Sequence, residues 1–158
     1  MAEKADGIKV IARNRKAFHN YIILRVVEAG LVLTGTEVKS LRAGKVAMSD
    51  SFAVVRDNGE VFLKNLDIPE YSHGNIMNHD PKRQRKLLLH KSEIAKISIA
   101  LNEKGLTLVP LSLYFKNGWA KVEMGLAKGK RMYDKRESMK KKDDRREMDR
   151  AFKSKGKE

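Results

Sequence analysis

Apolar and polar residues alternate in short runs along the first 127 positions, the pattern of strands that bury one face. The clearest run, 119–126, directs Ala120, Val122, Met124 and Leu126 to the same side. The runs at 21–28 and 31–33 are separated by Ala29-Gly30, which predicts either two strands or one long bent strand. Further strands are predicted at 8–12 and 106–115, where Pro110 demotes part of the second to an edge or a bulge.

Two Asn-Gly pairs predict hairpins, because both central residues of the tightest hairpin turn must accept positive φ. The first, within Asp57-Asn58-Gly59, separates strands predicted at 51–56 and 60–65. The second, Asn117-Gly118, joins the 106–115 strand to the 119–126 strand.

Two helices are predicted between the strands. Thr36 is the expected cap of a helix over 37–42 that stops at Gly44. Ser92 is the expected cap of a longer helix that reaches Lys104 and stops at Gly105. About six short strands with two short helices predict a mainly-β protein, a small closed or partly open barrel.

The chain has 158 residues, enough for one domain with tails. We expect a disordered leader at 1–7, the barrel at 8–127 and a basic tail at 128–158. The tail has fourteen Lys/Arg against seven Asp/Glu and too few apolar residues for a packing stripe. Asp134, with Glu137 three residues on, can cap a helix. Such a helix is marginal alone, so we predict an arm that folds on a polyanion; a merely solubilising tail is the alternative.

The net charge of +14 and the pI near 10 favour a polyanionic partner, since phosphate contacts release counterions. An anionic membrane would attract the same charge, but the tail has no apolar face for insertion. No cysteine is present, which excludes disulfides and thiolate chemistry. Without a signal peptide or a membrane-length apolar run, the sequence predicts a soluble cytoplasmic protein.

Evidence for catalysis is poor, and we expect no enzyme activity and no cofactor. His73, His79 and Asp80 are the nearest approach to a metal or nuclease site. Their loop is also rich in turn formers, which explains the same residues without a metal. His19 and His90 each stand alone beside apolar runs, where a structural or surface histidine is the simpler interpretation.

Basic residues interleaved with rings form two clusters that favour RNA, because cations follow the backbone and rings stack on unpaired bases. One cluster contains Arg13, Arg15, Lys16, Phe18, His19 and Tyr21; the other contains His79, Lys82, Arg83, Arg85 and Lys86. Either cluster alone could be an ordinary solvated surface. Together with the basic tail, they make RNA binding the leading hypothesis.

Four collinear motifs resemble the SsrA-binding protein family, SmpB. They are Glu28-Ala29-Gly30, the run GTEVKSLRAG at 35–44, the run RKLLL at 85–89, and Lys128-Gly129-Lys130 followed by Asp134-Lys135-Arg136. The similarity extends over nearly the whole chain and includes Asn14, His19 and the strand at 111–116.

The resemblance implies an OB-like β-barrel that binds the tRNA-like domain of transfer-messenger RNA and enters stalled ribosomes with it. It implies RNA contacts for Asn14, His19, Glu28, Leu88 and Lys121, beside the cluster residues Arg15, Lys16, Arg83 and Arg85. It also implies that the tail occupies the small-subunit decoding region and message channel and becomes helical there. The tail residues concerned are Lys128, Gly129, Lys130, Arg131, Tyr133, Asp134, Lys135 and Arg136. A monomer is expected. A constitutive ribosomal protein with a basic tail is the alternative.

Overall fold

The computed structural model describes residues 7–72, 78–130 and 132–155, with side chains described only at 139–150 in the last segment. The predicted leader, except Gly7, lies outside these residues. The strands are β1 (Ile8–Arg13), β2 (Tyr21–Leu31), β3 (Phe52–Val55), β4 (Val61–Lys64), β5 (Arg85–Leu88), β6 (Thr107–Lys116) and β7 (Trp119–Gly129). The helices are α1 (Arg15–Asn20), α2 (Gly35–Arg42), α3 (Lys91–Glu103) and α4 (Met132–Lys155). The described residues thus hold one strand more than predicted and one unpredicted helix, α1; α4 lies in the tail, for which a helix was predicted on binding.

The strands form one antiparallel sheet that closes into a ring. Its order is β1-β6-β3-β4-β5-β2-β7, and a further pairing of β6 with β7 completes the circle. β1 and β3 share one edge of β6, because β1 pairs with residues 112–116 and β3 pairs at Leu108. The mainly-β class with a ring-like sheet is as predicted.

The interior of the ring is filled by alternate residues of its strands. Leu63, Leu108 and Met124 are fully buried there. α2 contributes Leu41, and α3 turns Ile97 inward. A side chain of this kind that loses all contact with water stabilises the fold by about 1.5–3 kcal/mol.

A second, smaller core lies under α1, a helix that was not predicted from the sequence. Ala17 on α1 packs on Val109, Leu111 and Ala127. Gly125 lies on the same surface, and a Cβ there would come within 2.9 Å of Leu111 Cδ1. Glycine is therefore required for close packing between β7 and β6.

The two Asn-Gly hairpins form as predicted but with different turns. Asn117 and Gly118 both have positive φ, 51° and 83°, which is the expected two-residue turn. In the first hairpin Gly59 has φ 83° and Asn58 does not share the left-handed conformation. The backbone N–H of Arg56 donates a hydrogen bond to Glu60 O at 2.8 Å across that loop.

Both predicted helix caps are wrong by two residues. α2 begins after Thr34, whose backbone N–H donates to Glu37 at 2.8 Å in a capping box. α3 begins after His90, not Ser92. The cap was misplaced at α2 because Thr34 and Thr36 are equally suitable residues, and only the position of Glu37 three residues later selects Thr34.

The run 21–31 is a single strand, one of the two predicted forms, with a register shift between Ile23 and Arg25. β6 has a bulge between Pro110 and Ser112, as predicted. β7 continues to Gly129, two residues past the expected end of the barrel. α4 follows, and all its described side chains, at 139–150, are exposed. Within the described residues, no helix has the length and apolar character needed to cross a bilayer.

Candidate nucleic-acid interface

One outer face of the ring carries most of the residues that the resemblance assigned to RNA. Successive side chains of a strand point to opposite sides of a sheet. On β7, Val122 and Met124 are buried in the ring, so Lys121 and Glu123 lie on the outer face. On β2, the buried Val27 and Ala29 place Glu28 and Gly30 on that same face. We call the outer surface of β5, β2, β7 and β6 the outer face.

The strand registers align three of these positions in a row. Leu88 on β5 pairs with Gly30 on β2, and Gly30 pairs with Lys121 on β7. Lys121 in turn pairs with Tyr114 on β6. Leu88 and Lys121, 33 positions apart in the chain, are therefore separated by one glycine on the sheet, with about 10 Å between their strands.

Glu28 is held on the outer face by two partners. The Tyr114 hydroxyl donates to Glu28 Oε2 at 2.5 Å, and Lys116 Nζ lies 3.6 Å from Oε1. Glu28 lies directly opposite Glu123, an arrangement of like charges that is destabilising without such partners. The carboxylate is partly exposed and can still accept hydrogen bonds from a ligand.

Tyr114 is fixed as the donor in this pair. Burial raises the pKa of its hydroxyl well above the ordinary tyrosine range, and the neighbouring carboxylates of Glu28 and Glu123 raise it further. The hydroxyl is therefore protonated at any physiological pH and orients the Glu28 carboxylate.

α1 borders the outer face at one end. Arg13 and Phe18 line a cavity of about 390 Å³ together with Glu28 and Tyr114. Arg15 and Lys16 are exposed on α1, and Lys16 Nζ lies 3.4 Å from Asp50. His19 is half-buried in the last turn. Arg13 and Phe18 of the first basic cluster are therefore available to a ligand that covers the outer face.

Asn14 has a structural position that the resemblance did not indicate. Its side chain is buried; Nδ2 donates to Pro110 O at 2.8 Å and Met48 O at 3.3 Å, and Oδ1 accepts from Ala17 N at 3.2 Å. The amide thus caps α1 and ties it to β6. Direct contact with RNA, as expected from the sequence, is not available to these atoms, and Asn14 instead positions α1.

The second basic cluster is divided between the interior and the surface: His79 and Arg85 are buried, whereas Lys82 is exposed and Lys86 is half-buried. Arg85 is completely buried, where Nε pairs with Glu37 and Nη1 donates to Leu66 O at 2.6 Å. Arg83 Nη2 lies 2.6 Å from the other Glu37 oxygen. Because β5 turns Arg85 into the ring, its side chain has no surface from which to contact RNA. Arg83 shares the single Glu37 carboxylate with Arg85.

The charge state of Glu37 follows from these contacts. Burial alone would raise the pKa of its carboxyl group, but hydrogen bonds from Arg83, the Thr34 backbone and Arg85 outweigh burial and lower the pKa. Burial also lowers the pKa of Arg85, while Glu37 opposes that shift. The pair is therefore an ionised structural link between α2 and β5.

In the loop that contains the candidate metal ligands, His79 and Asp80 make hydrogen bonds within the protein. Both ring nitrogens of His79 are hydrogen bonded, one to Ile68 O at 2.7 Å and the other to Thr36 Oγ1 at 2.9 Å. Asp80 Oδ1 accepts from Lys82 N at 3.0 Å. His73 lies outside the described residues, and in the remainder no three potential ligands cluster for a metal.

The start of the tail is attached to α1. Lys130 N donates to Asn20 O at 2.8 Å, and its Nζ donates to Phe18 O at 3.2 Å. A cation at the carboxyl end of a helix complements the helix dipole. Lys128 and Gly129 end β7, and both are exposed. Arg131 lies outside the described residues. The backbone of α4 includes the remaining predicted tail residues, Tyr133, Asp134, Lys135 and Arg136.

Two further residues of the outer face, Tyr114 and Trp119, were not predicted from the sequence. Trp119 is 74% exposed at the start of β7. The strict alternation that directed Ala120 inward also directs Trp119 outward, so the signal was present in the sequence. Tyr114 could not be linked to Glu28 without knowing how β6, β7 and β2 pair.

Comparison with known proteins identifies the family to which the chain belongs. The family model described as SmpB protein matches residues 11–154. A protein of Geobacter metallireducens named SsrA-binding protein is 62% identical over 96% of this chain and 98% of its own length. Another of that name, from Geobacillus thermodenitrificans, is 58% identical over 98% of both chains.

A solved structure described as "tmRNA-SmpB: a journey to the center of the bacterial ribosome" is similar in fold. Its TM-score is 0.65 at 51% identity, and the alignment covers 81% of this chain and 93% of the other. The family model covers most of the chain and the relatives align over nearly all of it, as the four motifs had indicated. The chain belongs to the SmpB family.

Proposed function

We propose that this protein binds the tRNA-like domain of transfer-messenger RNA and delivers it to stalled ribosomes in trans-translation. One observation carries the proposal: Glu28, Leu88 and Lys121, distant in the chain, lie together on the outer face. Their chemistry suits a folded RNA, with an acceptor for base or ribose groups, an apolar surface and a cation for phosphate. Relatives named for SsrA binding support the choice of RNA.

The protein acts as a binding adaptor in this proposal, in the cytoplasm and as a monomer. The outer face recognises the shape of the RNA and α1 extends it with Arg15, Lys16 and His19. The buried side chain of Asn14 caps α1 and holds it against β6. Arg83 contributes at most a weak contact, since Glu37 already pairs with it. Such an adaptor should be substoichiometric on ribosomes, whereas a constitutive ribosomal protein would be stoichiometric.

The tail has a separate role in the proposal. It enters the decoding region and message channel of the small subunit, and α4 represents its helical form. The described part of α4 has only exposed side chains, so it has no packing contact there to lose when it meets ribosomal RNA. That the tail is disordered before binding remains a prediction.

RNA binding is tested by titrating the protein with the isolated tRNA-like domain over a series of salt concentrations. We expect the affinity to fall steeply with salt, because each phosphate contact contributes about −0.7 to −0.9 to the slope of log K against log salt. An affinity no greater than that for an unrelated stem-loop RNA would contradict the proposal.

The role of the tail is tested by substituting Met139 and Met148 with proline. Both side chains are exposed and uncharged, so the double variant breaks α4 without changing the charge or the ring. We expect unchanged affinity for the tRNA-like domain and loss of ribosome rescue. The matched control replaces both methionines with alanine, which preserves the helix and should retain rescue. Loss of RNA affinity in the proline variant would show that the tail has another role.

A further inference from the structure

We infer that Trp119 is the stacking surface for an unpaired nucleobase of the bound RNA, received in a groove beside Leu88. This inference rests on the proposed function and adds a residue and a ligand chemistry to it. The groove has a volume of about 410 Å³ and is bordered by Val32, Leu88, Trp119 and Lys121.

The walls of the groove are apolar and exposed. Trp119 is 74% exposed, Leu88 55% and Val32 43%. Three large apolar side chains thus border one groove, whereas exposed apolar residues that stand singly need no explanation. The groove adjoins the row of Leu88, Gly30 and Lys121, so whatever fills it also contacts the outer face.

Gly30 leaves the floor of the groove open. It lies between Leu88 and Lys121 in the row, and a Cβ at this position would come within 3.3 Å of Leu88 Cβ. Any larger residue would move Leu88 or occupy the space above β2. The glycine therefore leaves a gap between an aliphatic wall and a cation.

The chemistry of the walls selects the occupant. A base presents two apolar faces and carries a phosphate on its own nucleotide. An indole offers a broad surface for stacking, and aromatic stacking on bases is tolerant of sequence. Lys121 supplies the charge that a phosphate requires. An apolar side chain of a protein would fill the groove but leave Lys121 without a charged partner.

The test uses the fluorescence of Trp119 itself, because the chain has one tryptophan. The full-length protein is titrated with the tRNA-like domain while indole emission and the anisotropy of dye-labelled RNA are followed in parallel. We expect emission to be quenched with the same midpoint as binding. Binding without any change of emission would overturn the inference and leave the proposed function intact. Absence of RNA binding by the wild-type protein would overturn both.

Three substitutions separate stacking from apolar contact. Trp119→Phe keeps a ring, Trp119→Leu keeps apolar area without a ring, and Trp119→Ala removes both. Since a stacked base is worth about 1–3 kcal/mol, we expect Trp119→Ala and Trp119→Leu to weaken RNA binding by about 5- to 150-fold. Trp119→Phe should remain within about 5-fold of wild type.

Ile99→Ala is the matched control. Ile99 is a half-exposed apolar residue on α3, outside the outer face, and its removal should leave RNA affinity unchanged. Thermal unfolding of each variant verifies the fold. If the three Trp119 variants all bind RNA like wild type but fail in ribosome rescue, the groove receives a ribosomal component instead, and the inference is wrong.

Discussion

Two polar regions of the ring use similar residues for opposite purposes. Around Glu37, one carboxylate meets Arg83 and Arg85 in a site where Arg85 and Glu37 are wholly buried. Around Glu28, one carboxylate meets Tyr114 and Lys116 at the surface. In the first region both carboxylate oxygens are engaged by buried or half-buried arginines. In the second region the carboxylate is partly exposed and can still accept hydrogen bonds from a ligand.

The difference shows why charge in a sequence does not identify a binding surface. Arg85 and Lys86 are neighbours in one strand, yet Arg85 is buried and Lys86 is half-buried beside Glu60. What separates the two is the side of the sheet on which each lies. Removing a residue of the first region should therefore cost stability, and removing one of the second should cost affinity.

The largest expected effect is the destabilisation caused by Arg85→Met. The substitution removes the fully buried partner of Glu37, and breaking one side of a buried ion pair costs about 3–5 kcal/mol. Urea unfolding measures the change. RNA affinity of the folded fraction should be unchanged, and a variant with wild-type stability would refute the structural role of the pair.

Acid should weaken the same link. The pKa of Glu37 is lower in the folded state than in the unfolded chain, so its contribution to the free energy of unfolding is full above the unfolded pKa. That contribution is lost as the pH falls below about 4. Unfolding curves across this range are compared with those of Glu37→Gln, which cannot ionise. The stability difference between the two proteins should shrink with acid; a difference independent of pH would contradict the assignment.

Tyr114→Phe should weaken RNA binding while keeping the ring. It removes a hydrogen bond to a charged group, an interaction that contributes about 1.5–3 kcal/mol to the stability of the fold, and it frees the Glu28 carboxylate to rotate away from the position in which it would meet RNA. Binding is also measured in a Glu28→Gln background. We expect Tyr114→Phe to add little there, since its effect passes through Glu28; full additivity would show that Tyr114 acts independently.

Lys121→Gln should change the salt dependence more clearly than the affinity. Loss of one phosphate contact reduces the slope of log K against log salt by about 0.7–0.9. Lys45→Gln, at an exposed position after α2, provides a control outside the outer face. An unaltered slope in Lys121→Gln would remove Lys121 from the set of phosphate contacts.

The smallest effect is expected for Asp50→Asn, which breaks the exposed pair with Lys16. Surface ion pairs contribute about 0–1 kcal/mol, so thermal unfolding should hardly change. RNA affinity should hold or rise slightly, because Lys16 is released from a competing carboxylate. A large loss of stability would show that α1 depends on this pair.

The sequence predicted those parts of the fold that local chemistry determines. Asn117-Gly118 and the alternation after it predicted a hairpin and the inward set of β7, and Pro110 predicted a bulge. α1 was missed because its six residues contain no helical stripe; it is held by the Asn14 cap and by packing on β6 and β7.

The site was predictable only as far as family resemblance extended. Glu28, Leu88 and Lys121 were named from motifs, but nothing local indicates that they meet, since the row depends on the registers of β5, β2 and β7. Arg85 was predicted to contact RNA for the same reason, because the strand pairing was not known. A basic residue at a strand start is equally consistent with either side of the sheet until the pairing is known.

Mapping the amide chemical-shift changes of the labelled protein on addition of the tRNA-like domain tests the central claim most directly. We predict changes concentrated on the outer face, at Glu28, Gly30, Leu88, Trp119 and Lys121, with residues around Glu37 and Arg85 unaffected. Changes centred on Glu37 and Arg85, with the outer face silent, would contradict the account.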